Sequence, residues 1–513
     1  MDLLFLHTPK FHNYYKPIGE FSFVLLPPIG LLGLADYLVR NGRSARIVHL
    51  GVEQYVRGTL DYDAIVREHQ PAIVGLDLHW HFQSYDVIEV AREIKRTHPE
   101  VGILLGGFTA SIFAEEILRD HPFIDFVIRG DAEIPILELT RRFTSDKKYT
   151  LVPNLSYREE GAVVSNGQTY IADSAMLDSM CFTDFTLMKD YPTFVRGFSR
   201  YVRLSGYSDT LQNKIFSGQS SFPVVLARGC QYECCFCGGC HEAHQSFAGR
   251  KTVAARSTPS VVSSICDLDR FGFDAAGLCH DCIPPADSDD YYIAIFEEMK
   301  RRGTSINVHI ERYSLPGVAF LDAFRSIPGK KSSISFSIHT PNEKLRRRNG
   351  LYRYSNSDMK DALALIDSMG IHAEIFFSCG LPFETMDDLE EMARYQHALK
   401  KKFKLLRTRT AIIEIEPGSP MSRRPGYFEV QPERSSFSDF YRYHREPGNS
   451  HYLEMGYSRN NLPSHDEVLN FYCRHFCEKV DAGRLSPYVC ECLEGIRKTG
   501  VLSVIDKVLA RDN

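Results

Sequence analysis

Three cysteines, Cys230, Cys234 and Cys237, lie in the run Arg228-Gly-Cys-Gln-Tyr-Glu-Cys-Cys-Phe-Cys-Gly-Gly239, and no other stretch restricts the chain as strongly. Thiols spaced x3 and then x2 in one loop, followed by two glycines, suit a 4Fe–4S cluster. Cysteine-bound clusters ordinarily take four protein sulfurs, so a three-sulfur loop leaves one iron to another ligand. Zinc sites present Cys-x2–4-Cys pairs or Cys with His, and Cys237-x2-Cys240 with His241 and His244 leaves a zinc knuckle open. A structural disulfide is disfavoured, because nothing else marks a secreted chain. Cys235 and Cys240 are spare; Cys240 is an alternative ligand, but the frame that starts after Arg-Gly favours the first three.

The same spacing, with Arg228-Gly229 before it and Phe236 ahead of the last cysteine, resembles the signature of radical S-adenosylmethionine (SAM) enzymes. The resemblance implies that SAM chelates the fourth iron through its amino and carboxylate groups, beside Phe236, Gly238 and Gly239.

The chain has 513 residues, 43% hydrophobic and 24% charged, an ordinary globular composition of a length for two to four domains. A net charge of −5 gives no reason to expect nucleic acid as a partner. No apolar run is long enough for a membrane span. Residues 1–9 lack a basic leader and a small-residue cleavage site, so they read as a first strand rather than a signal peptide. Fourteen cysteines without a leader point to a reducing cytoplasm and to metal ligation.

Residues 1–145 alternate short apolar runs with helical patterns, the mark of a parallel α/β sheet. Strands are expected over residues 3–6, 45–49, 73–78, 102–105 and 126–128, and helices over 87–96 and 110–119. Glycines at strand ends let a ligand approach the backbone at the sheet's switch point. The order of motifs resembles the cobalamin-binding domain fused to one large branch of the radical SAM family. The matching pieces are Pro27-Pro28-Ile29-Gly30-Leu31, Val74-Gly-Leu-Asp77, Gly106-Gly107 and Gly130-Asp-Ala-Glu133. Asp77 replaces the usual serine and Asp131 the usual first glutamate. The resemblance implies cobalamin contacts from Pro28, Gly30, Asp77, Leu78, His79, Trp80, Gly106, Gly107, Gly130 and Glu133. The Asp-x-His-x-x-Gly motif that supplies a cobalt-ligating histidine in some cobalamin proteins is absent. His79, Trp80 or His81 is expected below the cobalt as a ligand or a bulky plug, or else as loop packing.

Residues 146–220 read as a connector with a small hairpin around Glu159-Glu160-Gly161. Residues 221–425 alternate strands and helices as a partial (β/α)6 barrel, with strands expected at 223–227, 275–278, 306–310, 334–338, 372–377 and 410–415. Chemistry in such barrels sits at the carboxyl ends of the strands. Those ends carry Cys279-His280-Asp281-Cys282, Glu311-Arg312, Ser337-Ile-His339, Gly380-Leu-Pro-Phe-Glu384 and Glu416-Pro-Gly-Ser-Pro420. Gly380–Glu384 and Glu416–Pro420 resemble the family's fifth- and sixth-strand motifs, with Phe383 in place of a glycine. The resemblance implies SAM contacts from Ser337, His339, Gly380, Leu381, Pro382 and Glu384. Glu384 reads equally as a helix cap. Cys279 and Cys282 read as non-ligating pocket residues. His280, Asp281 and Glu311 are the catalytic candidates, with Asp281 placed to fix the imidazole's tautomer.

Residues 426–513 form a mainly helical tail suited to capping the barrel; its aromatics, Phe437, Phe440, Tyr441 and Tyr443, line a pocket or build a core. Cys473, Cys477, Cys490 and Cys492 leave an auxiliary metal site open. The expected fold is α/β: a doubly wound, Rossmann-like cobalamin-binding domain, a partial radical SAM barrel and a helical tail. The resemblance implies a cobalamin-dependent radical SAM enzyme that transfers a methyl group to an unactivated carbon of a small molecule through methylcobalamin and a 5′-deoxyadenosyl radical. It implies three cofactors, a 4Fe–4S cluster, SAM and cobalamin, and a reductase partner such as flavodoxin or ferredoxin. Ring contraction or ring formation by the same cofactors is the second reading, and a non-catalytic sensor or electron carrier the third.

Overall fold

The computed structural model describes residues 1–9, 29–195, 220–327, 329, 331–446, 454–459 and 463–476. Its N-terminal sheet is built on strands β1 (Leu3–His7), β2 (Ala45–His49), β3 (Ile73–Asp77), β4 (Gly102–Gly106) and β5 (Phe126–Ile128), all parallel. Every residue of β1, β3 and β5 is buried. Strands covered on both faces read as continuous apolar runs, and their sequences do. The hairpin β6 (Leu155–Glu159) and β7 (Ala162–Ser165) adds to β5 in antiparallel fashion, giving the order β2-β1-β3-β4-β5-β6-β7. The stretch read as a connector thus contributes two strands to this sheet. The expected helix over 110–119 breaks at Phe113 into Phe108–Ile112 and Ala114–Asp120.

The second sheet starts at β8 (Ser221–Pro223). The chain then leaves it for a two-stranded ribbon, β9 (Ala227–Arg228) with β10 (Ala254–Ala255), so the expected strand at 223–227 is split between the two. The sheet continues through β11 (Ala275–Leu278), β12 (Asn307–Arg312), β13 (Ser333–His339), β14 (His372–Cys379) and β15 (Leu406–Ile412). Its order is β15-β14-β13-β12-β11-β8, parallel throughout, with helices crossing between strands. The end strands β8 and β15 do not pair, so this is a partial barrel. The helix His465–Phe476 packs on the edge strand β15.

The tail helix Phe437–Arg445 packs on the N-terminal domain, not over the barrel. Phe437 and Phe440, 1% and 2% exposed, join Phe113 in that domain's core, and the Tyr441 hydroxyl donates to Glu89 at 2.7 Å. Burying each phenylalanine contributes about 2 kcal/mol. These aromatics therefore build a core. The side chain of Cys473, and the residues Cys477, Cys490 and Cys492, lie outside the described residues.

Candidate active site

The cysteine loop is fastened before any ligand is considered. Gly229 has φ 101°, and a Cβ there would lie 2.9 Å from the Arg250 side chain, so the turn into Cys230 requires glycine. Cys235 N–H donates to Asn349 O (3.0 Å), Met421 N–H donates to Cys235 O (2.9 Å), and Glu416 N–H donates to Phe236 O (3.3 Å). The sulfur of Cys230 accepts from Tyr232 N–H (3.4 Å), and that of Cys237 from Gly239 N–H (3.3 Å). Burial pushes the three thiols above the usual range; Cys230 adds to this at Cys234, and Glu416 and Cys234 add to it at Cys237. Sulfurs crowded in a buried loop ionise when a bound cation compensates them, and a cluster's iron supplies that charge.

The other cysteines nearby have different tasks. Cys240 caps the helix His241–Ala248, its sulfur accepting from Ala243 N–H at 3.5 Å, and Cys235 is wholly buried. His241 Nδ1 lies 3.2 Å from Cys230 O, and His244 packs between Phe108 and Phe247. Among the described residues, no three His, Cys, Asp or Glu side chains are grouped as a single metal ion requires. That holds for the three loop thiols as it does for Cys237 and Cys240 with His241 and His244, while Cys240 and His241 are already engaged with the backbone of this segment.

The sheet order reverses between β1 and β3, whose carboxyl ends lie beside that of β4. Asp77 ends β3 with its Oδ2 2.9 Å from His7 Nδ1 and 3.3 Å from Gln83 Nε2. Leu78 is buried, and its N–H donates to Gly106 O at 2.8 Å. His79 is half-buried and Trp80 is 37% exposed. Among the described residues a Cβ on Gly106 would meet nothing within 4 Å, which leaves room there for a ligand against the backbone. Gly107, with φ 107°, lies under the main chain of His79, where a Cβ would come within 2.7 Å of the His79 Cα. Gly30 opens the helix Ile29–Arg40 with free space at its Cβ position, and Pro28 lies outside the described residues. These residues fit a corrinoid approaching the strand ends.

The end of β5 is turned to the barrel domain instead. A Cβ on Gly130 would lie 2.9 Å from Ala248. Arg228 Nη1 lies 2.7 Å from Glu133 and 2.8 Å from Asp131, while Arg250 Nη2 lies 2.5 Å from the second Asp131 oxygen. Burial disfavours the Arg228 charge, but Glu133 and Asp131 outweigh it and hold its pKa above the ordinary value. Gly130 and Glu133 thus dock the cysteine loop onto the first domain.

At the barrel's strand ends, Glu311 is held at both oxygens: Ser337 Oγ donates to Oε1 (3.1 Å) and His280 N–H to Oε2 (3.3 Å). His280 is exposed and has φ 64°. Asp281 does not serve the imidazole. Its carboxylate is buried against Arg312 Nε (3.2 Å), Ser288, Tyr292 and the Tyr313 N–H. Cys279 is half-buried, its thiol pushed up to about 12 by burial, and Cys282 Sγ donates to His280 O (3.0 Å). His339 sits at a bulge in β13, Nδ1 2.8 Å from Ser378 Oγ and its ring 5.2 Å from Phe236. Gly238 N–H donates to Glu416 Oε2 at 2.6 Å.

The turn from Gly380 to Glu384 has its polar groups engaged. Tyr457 OH donates to Gly380 O, Arg459 to Leu381 O (2.9 Å), and Asn349 Nδ2 to Pro382 O (3.1 Å). Glu384 folds back to accept from Gly380 N–H at 2.7 Å, while Thr385, not Glu384, caps the next helix.

Two features escaped the sequence reading. Phe108 bridges the halves, its ring 4.5 Å from the His79 ring and 3.3 Å from the Cβ position of Gly239. Glu311, Ser335, Glu374 and Arg407 are successive cross-strand neighbours, a polar row where such barrels ordinarily stack branched apolar side chains. Glu374 lies 3.3 Å from Arg407 and 3.6 Å from Arg409, and burial lifts its pKa to about 7 against the pull of Arg407. Charges alternating in Leu406-Arg-Thr-Arg-Thr410 were the available signal.

Comparison with known proteins matches residues 18–140 to the B12 binding domain family. The chain is 25% identical over 212 residues to the uncharacterized methyltransferase PH0819 of Pyrococcus horikoshii, and 32% identical over 113 residues to the hopanoid C-3 methylase of Methylococcus capsulatus. These matches cover 41% and 22% of this chain, and only 40% and 21% of the two relatives. The radical SAM methyltransferase TsrM of Kitasatospora setae, solved with cobalamin and a [4Fe–4S] cluster bound, shares the fold over 100% of this chain and 99% of its own, with a TM-score of 0.63 at 14% identity. Residues 18–140 thus belong to the B12 binding domain family, and the chain as a whole, with its three-cysteine loop, shares the fold of TsrM.

Proposed function

We propose that this protein is a cobalamin-dependent radical SAM methyltransferase acting on a carbon of a small molecule. One juxtaposition carries the reading: Phe108 packs against both Gly239 of the three-sulfur loop and His79 at the end of β3 in the B12-binding domain. The two relatives named as a methyltransferase and a methylase support methyl transfer. A third, 21% identical over 217 residues, is named as an anaerobic magnesium-protoporphyrin IX monomethyl ester cyclase and supports the ring-forming alternative. When bound, the cluster with SAM supplies one-electron cleavage of a carbon–sulfur bond, and cobalamin supplies methyl carriage.

Cys230, Cys234 and Cys237 would hold the cluster. The backbone of Gly238 and Gly239, with Phe236 and His339, would border SAM, and the ends of β3 and β4 would receive the corrin. Glu311, oriented by Ser337 and the His280 N–H, is the proton acceptor facing the substrate. The row through Ser335, Glu374 and Arg407 suits a substrate with polar groups. Docking through Arg228 fixes the halves against each other. A flavodoxin- or ferredoxin-type donor would deliver the electron.

The test is anaerobic reconstitution with iron, sulfide and hydroxocobalamin, then reductant and methyl-deuterated SAM. S-adenosylhomocysteine with label leaving SAM supports methyl transfer. Deoxyadenosine alone would indicate ring formation or rearrangement, and neither product would indicate a carrier.

A further inference from the structure

The chain leaves β3 through His79, Trp80 and His81, and the structure gives the three side chains different tasks. His81 is buried, Nδ1 3.3 Å from His444 Nε2 and Nε2 3.7 Å from the Glu414 carboxylate, with its ring 5.1 Å from Phe440. Trp80 lies parallel to Phe82, with ring centroids 6.1 Å apart and an interplanar angle of 8°. His79 is different. Neither of its ring nitrogens has a hydrogen-bonding partner among the described residues.

The side chain of His79 is half-buried, and its ring nitrogens are left uncommitted to protein partners rather than shut away from solvent. Its ring is held by rings: Trp80 edge-on at 4.5 Å and Phe108 at 4.5 Å. Its main chain is pinned, the carbonyl accepting from the Thr109 hydroxyl (3.0 Å) and the Thr109 N–H (3.3 Å), with Gly107 packed beneath the Cα. The imidazole is thus oriented without either nitrogen being consumed. Burial lowers its pKa to about 4, although Asp77 pulls the other way, so the ring is neutral at physiological pH and keeps a lone pair. A neutral imidazole is the commonest metal ligand among side chains.

We propose that His79 donates a nitrogen ligand to the cobalt of a corrinoid lodged at the ends of β3 and β4. This rests on the cobalamin reading above and adds to it a protein ligand that arises from β3, in a chain that lacks Asp-x-His-x-x-Gly. His81 is excluded by its engagement with His444 and Glu414, and Trp80 has no lone pair to give.

Electron paramagnetic resonance of the full chain loaded with hydroxocobalamin and reduced to the Co(II) form reads the ligand directly. One coordinated 14N nucleus splits each high-field cobalt line into three, and one 15N nucleus into two. Protein labelled with 15N-histidine and loaded with unlabelled cobalamin is expected to show doublets, and the splitting is expected to vanish in His79→Ala. Triplets in the labelled protein would assign the nitrogen to the corrinoid's own base, and unsplit lines would mean no nitrogen ligand; either overturns the proposal. Doublets that persist in His79→Ala would assign another histidine and overturn it too. The labelled wild-type measurement decides even where the variant fails to fold. Loss of corrinoid absorbance from the wild-type protein would instead overturn the cobalamin reading, so the two failures are distinguishable.

Discussion

The Arg228 guanidinium, two residues before Cys230, lies 2.7 Å from the Glu133 carboxylate of the other domain. Glu133 is fully buried, and Asp131 beside it accepts from both Arg228 and Arg250. The position of the cysteine loop against the first domain is therefore set by a buried ion cluster. Removing one partner of a buried pair leaves an uncompensated charge and typically costs about 3–5 kcal/mol. Arg228→Met is expected to lower the urea midpoint by that order, and Arg228→Met with Glu133→Gln to recover part of the loss. A double variant no more stable than the single one would show that the pair contributes nothing specific.

The cysteine frame gives a sharper discrimination. Cys230→Ala, Cys234→Ala and Cys237→Ala are each expected to abolish the charge-transfer absorbance of the reconstituted protein. Cys240→Ala is expected to keep it and to lose about 1 kcal/mol of stability, because the sulfur there caps a helix. Cluster absorbance lost in Cys240→Ala and kept in Cys237→Ala would reassign the third ligand.

Adjacent glycines at the end of β4 should respond differently. Among the described residues an added Cβ meets nothing within 4 Å at Gly106, so Gly106→Ala is expected to fold normally and to weaken corrinoid retention by roughly tenfold, about 1.4 kcal/mol. At Gly107 the φ of 107° and the nearby His79 backbone make Gly107→Ala strained, with about 1–3 kcal/mol lost from the fold itself. Thermal unfolding of the unloaded variants, set beside equilibrium dialysis with hydroxocobalamin, separates the two effects.

Both sheets were legible in the sequence because parallel strands covered on two faces leave unbroken apolar runs, as in Leu3-Leu-Phe-Leu6. The cysteine loop was legible because its chemistry lies in spacing. Partnerships across the chain were not. Glu133 reads as a strand-end ligand residue until the structure brings Arg228 to it, 95 residues away. Asp281 follows His280 in sequence, yet a strand end points neighbouring side chains apart, and its carboxylate goes to Arg312. Phe437 and Phe440 show an apolar helix face but not which domain receives it. The end of β15 was misplaced by several residues because Arg407 and Arg409 broke the apolar run that marks the other strands.

Glu384 offers a prediction in pH. It is 1% exposed, and burial raises its carboxyl pKa to about 8, with Arg459 and the Gly380 N–H pulling the other way. Unfolded, it would titrate near 4.5. Between those values the native state keeps a proton that the unfolded chain has released, so stability falls as pH rises, by at most about 1.4 kcal/mol per unit for one such group. The contribution is fully lost above about pH 8. Glu374, raised to about 7, adds a loss of the same sign. Carboxylates with depressed pKa values, such as Glu68 and Glu298, near 2, lose their stabilisation only below pH 4.5 and so do not mask the trend. His79, His244, His309 and His339, whose pKa values burial lowers to about 3–4, add stability as pH rises toward 6.5. The urea midpoint is therefore expected to fall only above that range, between pH 7 and 8.5, and Glu384→Gln, which keeps an acceptor for Gly380, to flatten the slope there. A wild-type midpoint that held constant across this range would mean that Glu384 is already ionised at pH 7, and that its contact with Gly380 is made by a carboxylate.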